Sequence, residues 1–207
     1  MALTTTERQH ALKHLRASDP ILRKVIDTSG PFDLKLERKR FASLVRAIIS
    51  QQISTHAARS IRKRLDELVE PDGLTETSVQ RLSADELCAV GISPQKAVYL
   101  ADLAQKVANG DIPLNRIGRL SNEAVVSELT KVKGIGRWTA QMFLIFSLGR
   151  LDVFPHEDLG IRSAIRNLYG FDELPDKAQC IEIARPWAPY ESVASWYCWR
   201  SLDLQRK

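Results

Sequence analysis

The chain has 207 residues, of which 44% are hydrophobic and 27% charged, with only 10 glycines and 9 prolines. This composition excludes a collagen-like or low-complexity chain, and a chain of this length buries roughly 70% of its unfolded surface, so its core needs neither disulfides nor a metal. Thirty Lys and Arg against 25 Asp and Glu give a formal net charge of +5, which is compatible with a polyanionic partner but does not by itself indicate one.

Apolar residues recur at helical spacing along almost the whole chain, and we find no period-two run bounded by hairpin turns. The sequence therefore predicts an all-α fold. In the third predicted helix, Phe41, Leu44 and Ile48 fall on one stripe, which Gln52 extends with a polar side chain. In chain order, the predicted helices span residues 5–17, 19–28, 38–53, 55–69, 76–80, 84–89, 94–108, 121–130, 137–148, 158–168, 176–185 and 190–203.

Local signals mark several boundaries of these helices. Ser93 is a predicted N-cap, and Pro94 follows it at the first helical position. Composition shifts little along the chain, so any boundary between lobes must lie in the connectors after the second and ninth helices, which contain glycine and proline. We expect residues 1–34 and 150–207 to form a lobe of terminal helices and residues 35–149 to form a central lobe.

The connector between the eighth and ninth predicted helices carries two glycines. Gly134 and Gly136 flank a single aliphatic residue, and the ninth helix begins at once. Glycine permits positive φ and a close approach to a ligand, and the N–H groups that open a helix have no acceptor within it. With Lys131, Lys133 and Arg137 beside them, this geometry favours a bound phosphate. An ordinary helix end followed by a new helix is the alternative interpretation.

Further segments accompany this hairpin in a fixed order. They are residues 46–54, 91–97, 152–158, 187–192 and 196–200. Together with the hairpin they resemble the helix-hairpin-helix (HhH-GPD) superfamily of DNA base-excision glycosylases, in its 3-methyladenine DNA glycosylase II (AlkA-like) branch. The resemblance implies two α-helical lobes with a catalytic cleft between them, and a hairpin that grips the DNA backbone.

The resemblance assigns the catalytic carboxylate to Asp158. This residue also precedes the apolar run of the tenth helix, an N-cap position where the helix dipole and N–H groups hold a negative charge. Breaking the bond from C1′ to a base creates an oxocarbenium-like sugar, which one carboxylate stabilises while it guides water to C1′. Asp158 is alternatively only a cap. The adjacent Glu157 competes for the role, although the family register favours Asp158.

The resemblance also implies a base pocket that contains Trp138, Met142, Trp199 and Gln51. An alkylated purine is already cationic, so it leaves without a general acid and is attracted to an aromatic face. Packing in the core is the alternative for both tryptophans. Bifunctional relatives carry a lysine at the position of Trp138, and a tryptophan cannot form their Schiff base. The resemblance therefore implies a monofunctional hydrolase that leaves the abasic strand unnicked.

A base within a duplex must leave the stack before it reaches such a pocket. The resemblance implies that Gln52 is the wedge that fills the gap in the minor groove, while a buried amide in the core is the alternative for Gln51 and Gln52. The predicted contacts to the DNA backbone are Lys133, Gly134, Gly136, Arg137, Thr139 and His56. An ordinary surface histidine is the alternative for His56.

The family hairpin also holds a monovalent cation, Na⁺ or K⁺, through backbone carbonyls. Carried over to this chain, those carbonyls belong to Thr130, Val132 and Gly134. Metal-ligand spacing is absent, and we expect no cofactor to be required for catalysis. The basic cluster at Arg59, Arg62, Lys63 and Arg64 is expected to be a solvated helix face, and contacts with DNA phosphates are the alternative.

The leading functional hypothesis is a DNA N-glycosylase for alkylated purines, such as 3-methyladenine and 7-methylguanine, in base excision repair. A non-catalytic protein that binds damaged DNA through the hairpin is one alternative, but such a protein needs no carboxylate at Asp158. A glycosylase for a neutral lesion such as hypoxanthine is the other. Neutral bases leave poorly and need hydrogen bonds to their edges, whereas the candidate pocket is mostly aromatic and apolar.

Cellular context follows from weaker signals. Cys88, Cys180 and Cys198 are odd in number and far apart, which indicates a reducing compartment, and they cannot supply four thiolates to an iron–sulfur cluster. The N-terminus carries no apolar leader, and no apolar run approaches the length of a membrane span. We expect a monomer that acts on double-stranded DNA, in the cytoplasm or nucleoid, or in the nucleus of a eukaryote, without a membrane partner.

Overall fold

The computed structural model describes residues 4–205, which form twelve α-helices, two short 3₁₀ turns and no strand. The predicted all-α fold is confirmed. No helix within that range has the length and apolar character that crossing a membrane requires. The helices are α1 (Thr5–Ser18), α2 (Pro20–Ser29), α3 (Arg40–Ser50), α4 (Thr55–Leu68), α5 (Glu76–Gln80), α6 (Ala84–Ala89), α7 (Pro94–Ala108), α8 (Asn122–Leu129), α9 (Arg137–Phe146), α10 (Leu159–Tyr169), α11 (Lys177–Ala184) and α12 (Glu191–Gln205).

Short polar side chains explain why most of these helices begin where they do. The hydroxyl of Ser93 accepts a hydrogen bond from the N–H of Lys96, and Pro94 occupies the first position of α7. Ser83 and Glu86 form a reciprocal capping box at α6. These caps use neighbours in sequence, so the predicted starts of both helices are correct.

Helix α3 is shorter than the sequence pattern predicts. It ends at Ser50 rather than at residue 53, because Gln51 turns to an extended ψ of 131° and Gln52 adopts a φ of 55°. The carbonyls of Ile49 and Gln51 accept hydrogen bonds from the ammonium of Lys96 instead of from further turns of α3. The prediction that Gln52 extends the helical stripe is therefore wrong, and Gln52 lies exposed beyond the helix end.

The chain divides into two compact units. One contains the N-terminal residues to Leu36 and the residues from Leu144 onward, and the other contains Glu37–Phe143. In the first unit α12 packs against α2 and α10. In the second unit α7 packs against α3, α5 and α6.

A buried carboxylate organises the core of the first unit. Asp19 caps α2, where it accepts a hydrogen bond from the N–H of Leu22. It also accepts one from the indole of Trp187 at 2.8 Å and one from the hydroxyl of Tyr169. Burial and the contact with Asp19 raise the pKa of Tyr169. Because its donors come from three places in the chain, Asp19 fixes α2 against the C-terminal part of this unit.

The second unit packs around the apolar stripe of α3. Leu44 and Ile48 are fully buried, as are Leu100 and Leu103 of α7. Burying each such side chain stabilises the fold by roughly 1.5–3 kcal/mol. This packing brings the C-terminal end of α3 close to the N-terminal end of α7 and so sets the geometry of the segment after Ser50.

Candidate functional site

In the first unit, Asp158 stands at the N-cap of α10. Its Oδ1 accepts a hydrogen bond from the N–H of Ile161 at 2.8 Å and another from the indole Nε1 of Trp199 at 2.9 Å. Asp158 is half-buried, whereas the neighbouring Glu157 is exposed. Two donors and the start of a helix therefore surround the charge of Asp158 and fix the orientation of its carboxylate.

Trp199 reaches Asp158 only because residue 160 has no side chain. A Cβ on Gly160 would lie 2.9 Å from Asp158 Oδ1, closer than such atoms pack, and 3.0 Å from Trp199 Cδ1, a contact that few Cβ atoms make. The indole of Trp199 also lies against the ring of Phe146, with centroids 5.6 Å apart. Gly160 and Phe146 thus define the position from which Trp199 holds the carboxylate.

In the second unit, the hairpin between α8 and α9 forms an open groove of about 440 Å³ lined by residues 130–136. Gly134 has a φ of 79°, and a Cβ at this position would come within 2.1 Å of the ring of Tyr99. Both the backbone conformation and the contact with Tyr99 therefore require glycine here. Gly136 has nothing within 4 Å of a Cβ.

A carboxylate on α7 ties this hairpin to the rest of the unit. Asp102 accepts hydrogen bonds from the ammonium of Lys106 at 2.8 Å and from the backbone N–H of Lys133 at 2.9 Å. Lys106 also donates to the carbonyl of Lys131 at 2.7 Å. Burial raises the pKa of Asp102, but the hydrogen bonds from Lys106 and Lys133 outweigh it and hold the pKa below the usual value.

The segment after α3 contacts the other side of the hairpin. The amide of Gln51 donates to the carbonyl of Gly134 at 2.9 Å and lies 3.4 Å from the hydroxyl of Thr139. Gln51 and Gln52 also line a cavity of about 220 Å³ together with Lys96. Gln51 is therefore engaged with the hairpin, while Gln52 projects from a turn beside it.

A family profile described as "HhH-GPD superfamily base excision DNA repair protein" matches residues 45–189. The chain belongs to this superfamily. It is 33% identical to DNA-3-methyladenine glycosylase 1 of Schizosaccharomyces pombe, over 92% of this chain and 86% of that protein.

Solved structures agree with this family assignment. The 3-methyladenine DNA glycosylase of Schizosaccharomyces pombe in complex with abasic DNA superposes with a TM-score of 0.84, at 32% identity, over 96% of this chain and 98% of that one. The DNA-3-methyladenine glycosidase of Bacillus halodurans superposes with a TM-score of 0.83, at 35% identity, over 92% and 88% of the two chains. The HhH-GPD chain is similar to both along nearly its whole length.

The structure distinguishes among the residues predicted to bind the DNA backbone. Lys133 and His56 are exposed, but the side chain of Thr139 is buried. Arg137 pairs with Glu123 through contacts of 2.5 and 3.0 Å, and this hydrogen bonding lowers the pKa of Glu123. A phosphate would have to compete with Glu123 for Arg137.

The predicted pocket residues lie in different surroundings. Trp138 exposes 40% of its surface and Met142, one turn later on α9, is half-buried. Trp199 is half-buried, with its N–H directed at Asp158. Its hydrogen bond to the carboxylate is a contact that the sequence did not reveal, and its place in the base pocket stays a prediction.

Two of the three carbonyls predicted to hold a monovalent cation already accept a hydrogen bond, and the cation itself stays a prediction. The carbonyl of Gly134 accepts the amide of Gln51, and the carbonyl of Val132 accepts the N–H of Ile135. The ammonium of Lys106 contacts the adjacent carbonyl of Lys131. A cation at Thr130, Val132 and Gly134 would share two of its three ligands with hydrogen bonds, so no step of the proposed function relies on it.

The basic cluster on α4 is only partly a solvated face. Arg59 and Lys63 are exposed, as expected. Arg62 instead is half-buried and donates to the hydroxyl of Ser50, and desolvation lowers its pKa. Arg64 donates to the carbonyl of Val90 at 2.9 Å. The expectation of a fully solvated cluster is therefore wrong for Arg62, which braces the end of α3.

Several residues of the site were missed from the sequence. Asp102 and Lys106 stand four residues apart on one helix, a spacing that indicates an ion pair but not a contact with the hairpin. No pattern in the sequence singles out the others, which act through contacts with distant segments. These residues are Phe146, Gly160, Tyr99 and the side chain of Lys96.

Proposed function

We propose that the chain is a monofunctional DNA N-glycosylase that flips alkylated purines, of the 3-methyladenine and 7-methylguanine type, out of duplex DNA and hydrolyses their bond to the sugar. The observation that carries this proposal is the half-buried carboxylate of Asp158, oriented by two N–H donors. A protein that only binds DNA needs no carboxylate here beyond a cap for α10, and DNA phosphates would repel it. Relatives named as 3-methyladenine DNA glycosylases support the same reaction.

Asp158 acts on the sugar in this reaction. The bond between C1′ and the base nitrogen breaks, and positive charge develops on the sugar. The two hydrogen bonds at Oδ1 hold the carboxylate in place while its charge acts on C1′. The negative charge stabilises the oxocarbenium-like transition state and orients the water that then attacks C1′. The products are the released neutral base, an abasic site with a hydroxyl group on C1′, and the proton that the water loses.

The base needs little help to leave if it is alkylated. Its positive charge makes it a good leaving group, so no general acid is required. The exposed indole of Trp138 offers an electron-rich face, and a cation–π contact with it contributes about 0.5–2 kcal/mol. Met142 and Gln51 are assigned to the same pocket. Trp138 cannot form a Schiff base, which is why the reaction ends at the abasic site.

The second unit grips and distorts the duplex in this proposal. The groove at residues 130–136, with the exposed Lys133, receives a backbone phosphate. Gln52 enters the space that the flipped base leaves. His56 contacts the DNA backbone nearby. We further propose that the protein works as a monomer wherever the cell keeps its DNA, in the cytoplasm or nucleoid or in a nucleus.

Single-turnover base release tests the proposal. Duplexes that contain 3-methyladenine, 7-methylguanine, hypoxanthine or uracil are incubated with excess protein, and the released base is quantified. We expect release of the two alkylated purines. Asp158→Asn should slow it by about a hundredfold or more, the scale on which removal of one preorganised electrostatic group acts. Glu157→Gln is the matched control, because this exposed neighbour should leave the rate unchanged.

Two results would contradict the proposal. Tight binding of damaged duplex without release of any base by wild type would assign the chain to DNA-binding proteins. Faster release of hypoxanthine than of 7-methylguanine would instead favour a neutral lesion. Sodium borohydride should trap no covalent adduct between protein and DNA, and the abasic strand should stay intact without alkali.

A further inference from the structure

Lys96, on α7, contacts the segment that the proposed function assigns to base flipping. Its ammonium donates to the carbonyls of Ile49 and Gln51, each at 2.8 Å. These carbonyls flank the point at which α3 ends and the chain turns toward Gln52. Since α3 has no glycine at its end, the ammonium takes the place of a C-terminal cap for this helix.

The position of Lys96 is costly for stability. It lies in the first turn of α7, where the helix dipole repels a positive charge, and α7 has no acidic residue in that turn. Burial further disfavours the charged form and lowers the pKa of Lys96. The capping hydrogen bonds offset this cost locally, but a neutral residue would avoid it. Lys96 therefore holds the end of α3 with a charge that the start of α7 does not favour.

The turn that Lys96 holds is itself strained. Gln52 has a φ of 55°, a conformation that a residue other than glycine adopts only at a cost of about 1–3 kcal/mol. The preceding Gln51 is fixed at both ends, because its carbonyl accepts Lys96 and its side-chain amide donates to Gly134. With Gln51 fixed in this way, the positive φ of Gln52 sets the direction of its Cα–Cβ bond.

We infer that Lys96 is a positioning residue for base flipping: its ammonium holds Gln51 and Gln52 in the conformation that Gln52 needs to enter the duplex. This inference rests on the proposed function, which assigns Gln52 to the space left by the base. It adds that the capacity to open the duplex depends on a charge on α7 that contacts no DNA itself. Loss of this charge should impair base extrusion and leave the chemistry at Asp158 intact.

The test compares substrates that do and do not need extrusion. Single-turnover release of 7-methylguanine is measured on duplex and on single-stranded DNA with wild type, Lys96→Met and Gln52→Ala. We expect Lys96→Met to lower the duplex rate by about tenfold to a hundredfold, with a much smaller loss on the single strand. A variant that combines Lys96→Met with Gln52→Ala should release the base from duplex no more slowly than Lys96→Met alone, because both substitutions remove the same function. Lys24→Met, an exposed lysine of α2, is the control.

A fluorescence measurement reports extrusion without chemistry. A 2-aminopurine next to the lesion brightens when its neighbour leaves the stack, and this signal should fall in Lys96→Met as it does in Gln52→Ala. Thermal unfolding checks that Lys96→Met folds. If it does not fold, Lys96→Gln, which keeps a hydrogen-bond donor without the charge, is used in its place. Equal losses on duplex and single strand, or an unchanged fluorescence signal, would overturn the inference.

Failure of the proposed function gives a different result. Wild type would then release no base from either DNA, and Asp158→Asn would behave in the same way. The fluorescence comparison still decides the role of Lys96 in that case. If the fluorescence increases with wild type but not with Lys96→Met, the inference is supported. If it does not increase with wild type, the inference is overturned.

Discussion

The indole Nε1 of Trp199 lies 2.9 Å from Oδ1 of Asp158 and donates a hydrogen bond to it. The same oxygen accepts the N–H of Ile161, so a donor from α12 and a donor from α10 meet at one atom. A rotation of the carboxylate would break both hydrogen bonds. The first unit therefore presents Asp158 in a single orientation, which is what a preorganised charge requires.

Removal of the indole donor should slow the reaction without unfolding the protein. Trp199→Phe keeps most of the contact with Phe146 but loses the hydrogen bond, and a bond to a charged group contributes about 1.5–3 kcal/mol. We expect single-turnover release to fall by about tenfold to a hundredfold. Trp196→Phe on the same helix is the control. Equal rates for wild type and Trp199→Phe would show that the carboxylate needs no such donor.

A methyl group at residue 160 should lower the activity without lowering the stability. Alanine favours a helix over glycine by about 1 kcal/mol, so Gly160→Ala should not lower the melting temperature through α10 itself. The added Cβ would nevertheless lie 2.9 Å from Asp158 Oδ1 and displace it. We expect about a tenfold loss of rate, because small misplacements of a reacting group are costly. The exposed Asn167→Ala on α10 should change neither quantity, and release at the wild-type rate by Gly160→Ala would refute the steric argument.

The helices could be predicted because their signals are local. Ser93 and Pro94 start α7, and its predicted end at residue 108 is also correct. Asp158 was predicted as an N-cap on the same basis, and its side chain does cap α10. A cap depends on side chains within about three residues, so the sequence carries its geometry directly.

The contacts that orient the site could not be predicted in this way. The hydrogen bond from Trp199 to Asp158 and that from Lys96 to Gln51 each join residues more than 40 positions apart. Such pairs depend on how helices pack, which no local pattern specifies. The early end of α3 is the same case, because a distant ammonium replaces the hydrogen bonds of the next turn.

Asp102 should make the free energy of unfolding depend on pH in the acidic range. Its pKa in the folded protein lies below the usual value, so the stabilisation is fully present above the ordinary aspartate pKa of about 3.9 and is lost as pH falls through the folded pKa. We expect Asp102→Asn to lower the free energy of unfolding near neutral pH, and the difference from wild type to shrink toward about pH 2. Denaturant titrations across this range measure it, with the exposed Asp85→Asn as control. A difference that stays constant with pH would show that Asp102 does not act through its charge.

The two glycines of the hairpin should respond differently to the same substitution. Gly134→Ala places a Cβ within 2.1 Å of the Tyr99 ring and on a backbone with a φ of 79°, so either the ring or the hairpin must move. We expect a lower melting temperature and a DNA affinity at least about tenfold weaker, because the groove for the phosphate is deformed. Gly136→Ala meets no atom within 4 Å and should keep the melting temperature.

Fluorescence anisotropy with an abasic duplex at several salt concentrations separates loss of phosphate contacts, which changes the salt dependence, from general unfolding. Similar effects of the two substitutions would show that the close packing of Tyr99 on Gly134 does not shape the groove.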